Sequence, residues 1–120
     1  MSTDFADIAS AILADQGETV SYTPLADDPD AEAVELQAVV TRHGLGYAPT
    51  GWPEDLFRNQ ARHAGIRLSA ADVATEPTDE DTITLDGLDY AVRAVQREPK
   101  TGPAVLWWIC LCASDQRGKY

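Results

Sequence analysis

Asp79–Gln96 reads DEDTITLDGLDYAVRAVQ, and this stretch decides the fold. Thr82, Thr84 and Asp86 alternate with Ile83 and Leu85, the period of a strand with one wet and one dry face. Tyr90, Val92, Ala94 and Gln96 alternate in the same way with Ala91, Arg93 and Val95. Between the two runs, Asp86-Gly87 supplies residues that tolerate positive φ, so the strands close as a tight hairpin. None of these side chains is an obvious nucleophile, general base or metal ligand. The hairpin reads as scaffold.

Upstream, residues 4–15 (DFADIASAILAD) repeat apolar side chains at helical spacing, with Phe5, Ile8, Ile12 and Leu13 on one stripe. Thr3 or Asp4 suits the N-cap and Gly17 the stop. Strands follow at ETVSYTP (18–24) and VELQAVVTR (34–42), the second with Val34, Leu36, Ala38 and Val40 on one face. Residues 44–62 break all periodicity with Gly and Pro and read as a long loop, with room for a helical turn from Pro53 to Arg62. Ile66–Ser69 is a short strand, followed by a turn at Ala70-Ala71-Asp72. Downstream, AVLWWICLCA (104–113) is apolar on both faces, as a central strand or a subunit contact would be. The fold expected is mainly β (α+β): one N-terminal helix on a small antiparallel β-barrel or sandwich. Its β core spans 18–43 and 66–113, with a long central loop at 44–62, all in one domain over 1–120. Core candidates are Phe5, Ile8, Ile12, Val20, Tyr22, Leu36, Val40, Ile83, Leu85, Tyr90, Val92, Leu106 and Ile109.

At 120 residues with 44% hydrophobic composition, the chain can bury a core without metal or disulfide. Cys110 and Cys112 lie two apart on one strand, a poor geometry for a mutual bridge. They read as buried thiols of a protein in a reducing compartment. No apolar run is long enough to span a bilayer, and MSTDFADIAS lacks the basic start and apolar block of a signal peptide. A soluble protein with no membrane partner is expected.

The net charge of −11 is patterned. No Lys or Arg occurs before Arg42, and none between Leu68 and Val92, whereas Arg42, Arg58, Arg62 and Arg67 cluster between those acidic stretches. This balance excludes a conventional DNA-gripping domain, which would be basic. It suits a solvated surface, a basic partner, or a passage through which DNA slides without sticking.

Few residues could carry chemistry. Asp79-Glu80-Asp81 lacks the ligand spacing and glycine of a calcium loop and reads as a solvated cluster before an edge strand. His43 and His63 flank the long loop, but the paired spacing of zinc motifs is missing. The expectation is a protein that is not an enzyme and needs no metal or cofactor. Trp52, Leu56 and Phe57 form an apolar group in the long loop, a core plug or a binding anchor. Trp107 and Trp108 point to opposite sides of the last strand, one toward the core and the other toward the core, the helix or a neighbouring subunit.

The run RLSAADVATEPTDEDTITLDGLDYAVRAVQ (67–96), followed by a loop and the Trp-bearing last strand, resembles the head–tail joining proteins of tailed double-stranded DNA phages, also called head-completion or neck proteins. The shared pattern falls on Asp81, Ile83, Gly87, Tyr90 and Val92, with Glu80 standing where the family has glycine. The resemblance implies a structural protein that adds as a ring, typically hexameric, to the portal or adaptor ring of the DNA-filled head. Its other partners would be tail-tube or tail-terminator proteins, with DNA passing through the channel without sequence-specific binding. It further implies the host cytoplasm during assembly and the virion neck afterwards. On that reading the loop docks through Trp52, Leu56 and Phe57, with Arg58 and Arg62 reaching acidic rims. The charge predicts that isolated subunits repel one another at low salt. The competing class is a small acidic host-encoded protein-binding module, or an inhibitor that mimics nucleic acid. A mimic should present its carboxylates at phosphate-like spacing on one exposed face, and a ring component should divide them between channel and rim.

Overall fold

A computed structural model describes residues 5–25, 30–45, 51–52, 62–73, 75–102 and 104–114. Helix α1 (Phe5–Gln16) leads directly into six strands: β1 (Glu18–Thr23), β2 (Val34–Leu45), β3 (Arg62–Ser69), β4 (Thr82–Leu85), β5 (Leu88–Glu98) and β6 (Trp107–Ser114). All neighbours are antiparallel and the sheet closes as a barrel in the order β1-β2-β3-β6-β5-β4. Gly17 makes the sharp exit from the helix possible. Its N–H donates to Leu13 O at 2.9 Å, and a Cβ there would lie 2.5 Å from that oxygen.

The β4–β5 hairpin forms as its sequence dictates. Leu85 pairs with Leu88 across a two-residue turn, with Asp86 at φ 57° and Gly87 at φ 76°. Positive φ at both positions matches the right-handed twist of the flanking strands. Ile83 and Leu85 point inward and are buried, as are Tyr90, the partner of Ile83, and Val92 further along β5. Closure means that β4 is no edge strand: β1 flanks it on one side and β5 on the other.

Val20, Tyr22, Ala38, Ala64, Ile66 and Leu68 complete the barrel interior with Trp108, Cys110 and Cys112 of β6. Leu36 and Val40 pack against this core while half-buried. Ile8, Ile12 and Leu106 are also half-buried, and the side chain of Phe5 lies outside the described residues. Ile109 faces the opposite side, in a second cluster with Leu111, Ala113, Ala94 and Trp52. Both tryptophans of β6 are buried, and the Trp108 indole N–H donates to Val73 O at 2.8 Å.

Three expectations are corrected. β3 begins at Arg62 rather than Ile66, and β2 runs to Leu45, so both strands extend into the stretch read as loop; residues 46–50 and 53–61 lie outside the described residues. A register shift between Val92 and Ala94 turns β5 over, so that Val95, not Ala94, joins the barrel core. Although Ala38 is fully buried, Val34, expected on one face with Leu36, Ala38 and Val40, stays 51% exposed. It pairs with Tyr22 beyond the end of β3, where no strand covers it on the other side.

Candidate interaction site

Asp81, Ile83, Gly87, Tyr90 and Val92 all lie in the β4–β5 hairpin or its approach, and all but Gly87 are buried. Asp81 is not part of a solvated cluster: it is 3% exposed, while its neighbours Asp79 and Glu80 are in solvent. Its Oδ2 accepts the Tyr22 hydroxyl at 2.6 Å and the Thr78 N–H at 3.0 Å. The Asp81 carbonyl in turn accepts the Val92 N–H, so this residue fastens the approach to β4 onto both β1 and β5. Burial of a carboxylate is costly unless hydrogen bonds are supplied, and here they are. Tyr90, paired with Ile83, has its phenol raised above the usual range by burial, with the Arg62 guanidinium hydrogen-bonded beside it working weakly the other way.

Barrel closure also brings Glu18, Arg42 and Asp86 together. Arg42 on β2 donates through Nη1 to Glu18 Oε2 at 3.0 Å and through Nε to Asp86 Oδ2 at 2.8 Å. Hydrogen bonding to Arg42 holds both carboxyls below the ordinary carboxylate range and raises the guanidinium's own pKa. All three side chains are more than a third exposed, so the clamp ties three elements together at modest gain.

Of the loop residues expected to dock, Leu56, Phe57 and Arg58 lie outside the described residues. Trp52 is half-buried on the outer face of the barrel, 3.8 Å from where a Cβ on Gly65 would sit. It makes edge contacts with His43 (centroids 5.3 Å) and His63 (6.0 Å). Arg62 opens β3, is half-buried, and its charge acts on Tyr90 and Asp86. Among the described residues no group of three His, Cys, Asp or Glu converges as a metal site would require. None of the described helices is long and apolar enough to cross a membrane. Burial pushes the Cys110 thiol up to about 12 and the Cys112 thiol well above its usual range.

Among the described residues, a groove of about 550 Å³ lies between α1 and the start of β2. Leu13 and Gly17 line one wall, Glu35 and Leu36 the other, and Asp72 one end. A second hollow of about 210 Å³ continues it over Val34, Tyr22 and Val73, sharing Leu36 and Asp72. Sequence reasoning missed this surface because it is made by the unequal lengths of β2 and β3, which no local pattern encodes.

No family model matches the chain, and no curated protein does.

Proposed function

We propose that this chain is a structural protein of tailed-phage assembly, joining the portal end of the DNA-filled head to the tail as a ring-forming neck component. The observation that carries the reading is how the carboxylates are divided. Glu18 and Asp86 are held by Arg42, Asp81 is buried, and Glu98 lies 3.7 Å from Arg67. Asp89 accepts the Thr84 hydroxyl, and Glu35 and Asp72 border the groove. A nucleic-acid mimic needs its acids free and on one face. Here Glu18, Asp81, Asp86, Asp89 and Glu98 serve the barrel itself, while Glu35 and Asp72 stand apart from them at the groove, which suits a subunit with several different neighbours. The family-like hairpin supports the same reading, since each of its pattern residues builds or locks the barrel wall rather than a reactive centre.

The reading is tested by deleting the gene from the phage or prophage that encodes it and examining the particles by electron microscopy. The expected result is DNA-filled heads and finished tails accumulating separately. Intact, infectious particles from the deletion would overturn it.

A further inference from the structure

Two strands of the barrel are paired over only part of their length. β2 pairs with β3 from Ala38 onward, so among the described residues Val34–Gln37 have a strand neighbour only on the β1 side. β5 pairs with β4 only as far as Ala91, and Asp81 then covers Val92, so among the described residues Ala94–Glu98 have a strand neighbour only on the β6 side. An incompletely paired strand presents backbone donors and acceptors that another strand can take up.

We propose that the open flank of β5 in one copy adds to the open flank of β2 in the next, seated in the groove beside α1, so that subunits join head to tail. This rests on the ring-forming reading above and names the surfaces it would use. Charge selects the occupant. Among the described residues no Lys or Arg lines the groove or the hollow beside it, whereas the exposed Glu35 and Asp72 border it and Glu32 lies just upstream. The β5 flank carries the exposed Arg93 at its bulge and leads to the exposed Lys100 at the hairpin tip. Its single acid there, Glu98, is turned toward Arg67. Two copies at −11 each repel at long range, so a stable contact must set unlike charges against each other. A two-fold contact would lay the acidic groove on itself, while a head-to-tail contact lays it on the basic flank. Such heterologous contacts propagate and close as rings when the rotation permits. Val34, exposed at the lip of the groove, gains cover from the incoming strand.

Cysteine cross-linking tests the contact directly, because Cys110 and Cys112 are buried and contribute no background. Glu35→Cys is combined in one chain with Ala94→Cys, Gln96→Cys or Glu98→Cys, three positions that cover alternative registers. At least one pair should give a ladder of disulfide-linked dimer, trimer and higher species under mild oxidation at high protein concentration. Mixing the corresponding single variants should give heterodimer and stop there. Asp72→Arg or Arg93→Glu, added to the cross-linking pair, should cut the product at least about tenfold, the effect of roughly 1.4 kcal/mol. The two charge changes together should restore it. Homodimers from Glu35→Cys alone, or no ladder from any of the three pairs, overturn the proposal. A ladder from a chain whose deletion leaves phage joining normal would keep this contact and remove the function; a joining defect without a ladder would do the reverse.

Discussion

Tyr22→Phe removes one oxygen atom and tests whether a buried lock holds β4 in the barrel. The Tyr22 hydroxyl donates to Asp81 Oδ2 at 2.6 Å, and the carboxylate is 3% exposed. Without the hydroxyl, Asp81 keeps the Thr78 N–H at 3.0 Å but loses the 2.6 Å bond in a place water does not reach. A hydrogen bond to a charged group contributes about 1.5–3 kcal/mol, and most of it is lost because the charge stays buried. We expect Tyr22→Phe to lower unfolding free energy by about 2 kcal/mol, read by urea denaturation followed by circular dichroism. For a chain of this size that is a Tm loss on the order of 8 °C. The effect should be coupled to the charge. In an Asp81→Asn background the same hydroxyl makes only a neutral hydrogen bond, and Tyr22→Phe should then cost about 1 kcal/mol. A Tyr22→Phe protein within about 0.5 kcal/mol of wild type, the range of an ordinary surface change, would show that the contact does not hold the strand. Equal losses in both backgrounds would refute the charge-assisted account.

Further outcomes follow from the same geometry. Cys110 and Cys112 should resist a thiol reagent at pH 8 in the native protein, since burial keeps both protonated, and should react promptly in denaturant; fast native labelling would contradict their burial. Arg42→Met should cost no more than about 1 kcal/mol at pH 7, because the clamp is solvent-exposed. Glu18 and Asp86 have depressed folded pKa values, so the clamp's contribution is present above their ordinary range near pH 4 and lost as pH falls through the folded values. The difference between wild type and variant should therefore vanish under strong acid, and a difference that grew on acidification would contradict the assignment. Trp52→Ala should lower stability by about 1–2 kcal/mol, as a half-buried indole packed on Leu111 and Ala113 would, and an unchanged melting temperature would mark Trp52 as a free anchor instead.

What the sequence made legible was local. The β4–β5 hairpin could be read because a period of two and an Asp-Gly turn lie within a few residues of each other. Helix α1 could be read for the same kind of reason. The first half of β3 could not: Arg62-His63-Ala64-Gly65 has no apolar alternation. Its buried Ala64 is small because it faces Cys112 across the pair, and Gly65 lies beneath Trp52. The β5 bulge has no signature in RAVQ either, since one register turns Ala94 inward and the other Val95, and both are apolar. Asp81 looked like a solvent acid among acids, and what buries it is Tyr22, 59 residues away in sequence. The Arg42 clamp and the groove beside α1 are likewise products of closure. Where strands of unequal length meet, the exposed ends are decided by topology, and the candidate contact surfaces lie there.

The central claim is that this chain joins heads to tails, and reconstitution tests it most directly. DNA-filled heads and free tails, each purified from cells lacking the gene, are mixed with increasing amounts of the purified protein and scored for joined, infectious particles. The account predicts background joining without the protein and a rise that saturates once each head carries its complement of chains. Heads and tails that join equally well without it, or that stay apart at any amount added, would contradict the account.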